Sequence, residues 1–273
     1  IKPWTAKDAA ALDQRTIQQW IDSLEVTPHI KGAIAAQLAG DGGVANDRAS
    51  WLGNLAMVHG GGLEKYWSDS EVYRCAQGNQ ALARSLAETL KDKVVYELPV
   101  KKVNIGRGVA TVTCADGRTI ECDDVVLAVP PTVWHKIEFT PGLPASLKPQ
   151  MGTNTKYLTK VKSRYWRDAD RGQYALADGL FNWTWDNTDG QEIGEGPAGL
   201  TGFSGGPSAV AARAIAKADR EKVFADDLEK LQPGFKDNVL ATRWMDWPSD
   251  PWAMAGYSFP APGEVTKFGP ILY

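Results

Sequence analysis

The sequence predicts an α+β protein in which helices and a mixed sheet are laid out in blocks rather than in strict alternation. Three observations carry this. The first seventy residues show apolar positions at helical spacing behind capping residues, strand-like runs parted by turn dipeptides begin near residue 94, and a pair of helices is set between strands in the last third. With 273 residues, 43% hydrophobic and 23% charged, the chain is globular and large enough for one big core or two smaller ones.

Taking the elements in order, Thr5 and Asp8 fit a capping box, and Leu12, Ile17, Trp20, Ile21 and Leu24 follow on one helical face. A second helix opens at Thr27-Pro28, carries Ile30, Ile34 and Leu38 four apart, and stops at Gly40. A third runs from Asp47 through Trp51, Leu55 and Val58 to Gly60-Gly61-Gly62, a glycine run read as helix termination and loop. After Arg74–Asn79 a helix places Leu82, Leu86 and Leu90 on one side. Strands are expected over 94–98, 100–105, 109–114 and 118–122, with Asp116-Gly117 as the hairpin turn between the last two. The apolar run 124–129, closed by Pro130-Pro131, reads as a strand buried on both faces. Further strands are expected over 157–162, 174–177, 181–185 and 200–203, then helices over 207–218 and 220–231, and a last strand over 239–244. The end, 246–273, is rich in Pro, Gly and aromatics.

Charge and motif content exclude several classes. Thirty Lys and Arg against 33 Asp and Glu leave a net charge of −3, with no basic excess to neutralise phosphates, so nucleic acid is not an expected partner. No apolar run reaches the ~18 residues of a membrane span. Cys75, Cys114 and Cys122 make neither a disulfide framework nor, with His29, His59 and His135, a metal-ligand pattern, so no metal is expected. The start, Ile1 to Trp4, is not a signal peptide. A soluble protein with the cytoplasm as favoured compartment is the resulting expectation. The chain carries no GxGxxG, GxSxG, HExxH or phosphate-binding loop.

Four stretches, in this order, resemble the flavin-containing amine oxidases: monoamine and polyamine oxidases, L-amino-acid oxidases and flavin histone demethylases. They are Gly78-Asn79-Gln80 opening a leucine-rich helix; Leu98-Pro99-Val100 through Val126-Leu127-Ala128-Val129-Pro130-Pro131; Met151-Gly152-Thr153-Asn154-Thr155-Lys156 with Tyr165-Trp166 beyond; and Arg243-Trp244, Asp250-Pro251-Trp252-Ala253 and Gly256-Tyr257-Ser258 before Pro262-Gly263. The resemblance implies a mixed-sheet substrate-binding domain with flanking helices, plus the central part of a two-dinucleotide-binding-type FAD domain. Residues 1–72 are then the helical part of the substrate domain and 73–141 the central part of the FAD domain. Residues 142–245 are the sheet of the substrate domain with two helices, and 246–273 a return segment to the FAD domain. Family members begin with a GxGxxG unit and end with a glycine-rich flavin segment, so the expectation is an internal fragment, inactive alone.

The implied chemistry is FAD-dependent oxidation of an amine or L-amino acid to the imine, with O2 as acceptor and H2O2 as product; the cofactor carries the redox step and the protein supplies orientation and a dry pocket. A homodimer is compatible with the resemblance. The alternatives are a non-catalytic binding domain on the same fold and a related desaturase or protoporphyrinogen-oxidase-like flavoprotein. Lys156 by composition is a solvated strand lysine beside Lys160 and Lys162; in its Met-Gly-x-x-x-Lys setting it resembles the family lysine that holds a water at flavin N5. Tyr257 resembles one wall of an aromatic cage that attracts a substrate ammonium. Trp244 resembles the tryptophan beside the flavin ring, although Trp247-Pro248-Ser249 looks inserted before Asp250 and disturbs that register. Val100, Ala128 and Pro130 resemble residues that line the cofactor. Trp183 and Trp185 alternate on one strand face and, with Phe181, form an aromatic patch that lines either a substrate cavity or a core. An amino-acid substrate needs an arginine for its carboxylate, and the choice among Arg48, Arg74 and neither of them stays open for that role.

Overall fold

The computed structural model describes residues 2–168 and 171–272, with the side chain of residue 168 outside the description. Ile1 and Tyr273, the chain ends in the fragment expectation, therefore lie outside the described residues. The chain divides into two units, residues 1–57 with 149–273, and residues 58–148.

The first helical block breaks where a polar residue caps better than it continues. A 3-10 turn at Pro3–Thr5 precedes α1 (Ala9–Gln14), and α2 (Ile17–Asp22) starts afresh. The capping box belongs to α2 rather than to Thr5 and Asp8: the Thr16 hydroxyl accepts from Gln19 N, and the Gln19 side chain accepts from Thr16 N. Asp8 precedes α1 without a side-chain cap bond. The helix α3 (Pro28–Gly42) starts on the Thr27 cap and ends at Gly43, whose φ of +64° suits glycine at a helix terminus. The helix α4 (Trp51–Gly60) follows a 3-10 turn at Asn46–Arg48 and stops at the predicted glycine run.

Residues 58–148 hold α5 (Glu64–Ser68), α6 (Gln80–Leu90) and a four-stranded sheet. Its strands are β1 (Val100–Ile105), β2 (Ala110–Cys114), β3 (Thr119–Cys122) and β4 (Glu138–Thr140), ordered β3-β2-β1-β4. The β1–β4 pair is parallel and the others antiparallel, so this sheet is mixed, whereas the sheet expected to be mixed, that of residues 142–245, pairs its strands antiparallel. Asp116-Gly117 turns the β2–β3 hairpin, with Gly117 at φ +89°. Two expected strands are absent. Residues 94–98 cannot extend because Glu97 sits at φ +56°, and Val95 and Tyr96 are exposed. Residues 124–129 run irregularly, with Val126 88% exposed: an apolar run becomes a strand buried on both faces only where partner strands flank it, and none does among the described residues.

The other unit is built on an antiparallel sheet of β5 (Asn154–Val161), β6 (Ala175–Leu176), β7 (Trp183–Asp186), β8 (Ala198–Gly205) and β9 (Val239–Asp246), ordered β6-β7-β8-β5-β9. The helices are α7 (Tyr165–Asp168), α8 (Pro207–Ala214), α9 (Arg220–Leu231), α10 (Phe235–Asn238) and α11 (Glu264–Leu272). Along β5, Thr155, Tyr157, Thr159 and Val161 are buried, whereas Lys156 and Leu158 are half-buried and Lys160 exposed. The two faces of the sheet therefore differ. The buried face packs Tyr157, Val161 and Leu200 onto Ala212, Phe224, Leu228 and Phe235 of α8 to α10. A second core joins Ile17, Ile21, Leu38, Ala49 and Phe259, beside a stacked Trp20–Trp51 pair with centroids 4.4 Å apart.

Candidate functional site

The half-open face of the five-stranded sheet collects the residues with the most distinctive chemistry. Lys156 stands on β5, between β8 and the edge strand β9, opposite Phe203 of β8 and Met245 of β9. Phe203 in turn stands opposite Trp183 of β7, so all four share one face. The Lys156 ammonium lies 5.5 Å from the Trp185 ring centroid and 5.9 Å from that of Phe203. Trp183 stacks on Phe203 at 5.1 Å and 10°, and Trp185 tilts against it at 5.9 Å. Among the described residues Lys156 makes no hydrogen bond or ion pair, so its three N–H donors are uncommitted.

Tyr257 joins this neighbourhood through backbone. Gly152 N donates to Tyr257 O at 2.7 Å, Gly256 N donates to Gly152 O at 2.8 Å, and Met151 bridges Ser258. The Tyr257 segment is thus laddered onto the residues leading into β5. The Tyr257 hydroxyl donates to Gly40 O at 2.8 Å, and a Cβ on Gly40 would lie 3.0 Å from the Trp183 ring. From Lys156 through Phe203, Trp183 and Gly40 to Tyr257 the contacts are continuous.

Two expectations are corrected here. Trp244 stands opposite Tyr157, on the other face from Lys156, with its ring 4.8 Å from Phe224 and 5.1 Å from the Arg220 guanidinium carbon. Lys156 pairs with Met245, and alternation sends the neighbouring residue into the helix-covered core. Phe181 does not extend the Trp183–Trp185 patch, because β7 begins only at Trp183 and Phe181 is fully buried against Tyr157 and Phe224. Val100, Ala128 and Pro130 lie in the other unit, Val100 at the start of β1 and the latter two in the irregular run before a 3-10 turn at Pro131–Lys136.

Sequence reasoning missed a junction of glycines beneath this site. A Cβ on Gly152 would sit 2.9 Å from Gly43 O, one on Gly205 2.6 Å from Gly40 O, and one on Gly206 2.8 Å from Val44 O. The signal was present as Gly42-Gly43, Gly152, Gly205-Gly206 and Gly256, but such pairs become legible only once the fold brings distant segments together. On the opposite, helix-covered face of the sheet, the Glu221 carboxylate accepts from Tyr157 Oη at 2.5 Å and Thr242 Oγ1 at 2.8 Å. Burial, then the hydrogen bond to Glu221, pushes the Tyr157 phenol well above its usual range. Among the described residues no helix is long and apolar enough to cross a membrane.

Comparison with known proteins agrees with this architecture. The family model for flavin containing amine oxidoreductase matches residues 11–271. The chain is 26% identical to a Mycobacterium tuberculosis protein named as a flavin-containing monoamine oxidase, AofH, over 98% of this chain and 60% of that protein. It is 24% identical to the L-amino acid dehydrogenase of a Synechocystis strain, over 99% of this chain and 58% of that protein. Among solved structures, putrescine oxidase bound to putrescine superposes with a TM-score of 0.89 at 22% identity, covering 98% of this chain and 62% of the other. The chain thus spans about 60% of the length of these relatives. With its family model matched over residues 11–271 and its fold shared, the chain belongs to the flavin-containing amine oxidoreductase family.

Proposed function

We propose that this chain supplies the substrate-facing sheet and a central cofactor-contacting segment of an FAD-dependent oxidase acting on an amine or L-amino acid. The observation that carries the reading is Lys156: an uncommitted ammonium on a half-open, aromatic-lined sheet face, with the Tyr257 segment laddered onto the start of the same strand. That donor set fits the electron-rich edge of a reduced flavin, or a water held against it. When bound, FAD would take a hydride, which carries both electrons, from the carbon bearing the amine while the nitrogen gives up a proton to leave the imine, and O2 would take on the two electrons and two protons as H2O2.

In this reading Lys156 orients a water at the reacting centre and stabilises negative charge that builds there. Tyr257, whose hydroxyl is held by Gly40 O, presents its ring to the substrate amine. Trp183 and Trp185 line the apolar side of the substrate and exclude bulk water. Residues 73–141 contribute the cofactor-side segment, with Val100, Ala128 and Pro130 contacting FAD through backbone. Trp244 has no place in this site, because it faces the helix-covered core.

The sequence contains no glycine-rich strand-to-helix turn to seat a pyrophosphate, so the 273-residue chain alone should purify colourless and oxidise no amine. A yellow preparation would count against that. Expressed with flanking sequence of the kind its relatives carry, the protein should release peroxide from amines or L-amino acids. Lys156→Met should then slow flavin reoxidation by at least tenfold while changing substrate affinity little. An oxidative half-reaction at the parent rate would remove Lys156 from the mechanism.

A further inference from the structure

Asn154 is a buried polar side chain at this site that the reading above leaves unexplained. It is 4% exposed, two residues before Lys156 and on the same sheet face, and among the described residues neither its Oδ1 nor its Nδ2 has a hydrogen-bond partner. A buried amide without partners is costly, and an apolar side chain of similar shape would avoid that cost. What surrounds it is glycine. Its Oδ1 lies 2.5 Å from where a Cβ on Gly43 would be and 1.9 Å from where one on Gly256 would be, and its Nδ2 lies 3.1 Å from the corresponding point on Gly205. Gly43 needs glycine for its backbone as well, at φ +64°. Gly256 does not: its φ lies outside the left-handed region, so the Asn154 side chain reserves that position for glycine, its oxygen closest at 1.9 Å and its Cγ at 2.7 Å from where a Cβ would be.

We propose that Asn154 is a positioning residue, whose amide seats against Gly256 and fixes where the Tyr257 segment meets the strand bearing Lys156. The contact adds a side-chain seat to the backbone ladder that joins the two pieces at Gly152. The Cα–H groups of Gly43 and Gly256 face the oxygen as weak donors, which gives the amide a directional grip that an aliphatic group lacks. This inference rests on the reading that Lys156 and Tyr257 face one substrate, but it can be tested without turnover.

The test is NMR of the 273-residue chain after reductive methylation with 13C-formaldehyde, the Lys156 resonance being identified by its loss in Lys156→Arg. With two aromatic rings within 6 Å, that resonance should be displaced from those of exposed lysines. Gly256→Ala drives a methyl group into the Asn154 oxygen, and Asn154→Ala removes the oxygen. Each should move the Lys156 resonance, while the near-ultraviolet circular dichroism of the Phe224–Trp244 core stays at the parent signal. The double variant, in which the new methyl fills the space the amide left, should return the resonance toward its original position. General destabilisation would add across the two changes instead of cancelling. Where Asn154→Ala does not fold, Asn154→Ser takes its place with the same expectation. An unmoved resonance in folded Gly256→Ala, a double variant worse than either single one, or a parent chain whose Lys156 resonates with the exposed lysines would each overturn the proposal. A failure of Lys156→Met to alter reoxidation would strike the catalytic reading and leave this result standing.

Discussion

Tyr157 shows how one side chain on the covered face of the sheet sets a pH limit. Its phenol is buried and donates to Glu221, and both conditions favour the neutral form. Folded Tyr157 therefore holds its proton to higher pH than the unfolded chain, where a tyrosine titrates near 10. The resulting stabilisation is complete below that value and is lost as pH rises above it. Tyr165, raised by burial and then by the Glu229 charge, acts in the same direction. Alkaline unfolding followed by circular dichroism should thus coincide with the appearance of tyrosinate absorbance. In Tyr157→Phe the alkaline loss should be smaller, while stability at pH 7 falls by about 1.5 kcal/mol because Glu221 loses a donor. Asp226 behaves oppositely: hydrogen bonds from Lys236 and Lys222 hold its carboxyl down to about 2, so its contribution is present above the usual aspartate range and is lost as pH falls from there through that value, and the exposed lysine partners keep it small.

Among the elements, those with a local signature were legible. The Thr27-Pro28 start of α3, the Asp116-Gly117 hairpin and the bounds of α9 follow from caps, turn chemistry and periodicity that act within a few residues. The break between α1 and α2 was not, because Thr16 is held both as a cap and by a bridge to Ser50, a pairing set by tertiary structure. The strand expected at 124–129 failed for the complementary reason: its composition suits burial, but burial needs flanking strands. The turn after β7 is held by a device equally hidden in sequence. Arg164 Nε donates to Asp186 at 2.7 Å and Nη2 to Thr188 O at 2.7 Å, while Asp186 also accepts from Thr188 N and Oγ1. The Asp186 side chain is fully buried and that of Arg164 nearly so. Arg164→Met leaves that carboxylate without its cation and should cost roughly 3 kcal/mol, read as a lowered midpoint in urea unfolding.

At the level of the whole molecule, the family was legible from four spaced stretches, whereas which side of the sheet each aromatic takes was not. Trp183 and Trp185 share the Lys156 side and Trp244 takes the other, because pairing register decides it. Long-range ties of the same kind hold the unit formed by residues 1–57 and 149–273. Asp13 is fully buried and accepts from Ser50 Oγ at 2.6 Å, Thr266 N at 2.8 Å and Thr266 Oγ1 at 2.7 Å, joining α1 to α11 and to the start of α4. Asp13→Ala strands three donors at once and should lower unfolding free energy by roughly 3 kcal/mol, with a matching drop in thermal midpoint. The alternation of side chains along β5 carries a further consequence for evolution of the gene. Shortening the chain by one codon between Gly152 and Lys156 would exchange the two sides, thrusting an ammonium among Phe224 and Leu228 and turning Tyr157 toward the aromatic pocket wall. Descendants of this sequence can therefore trade one amino acid for another along that strand far more readily than they can change its length.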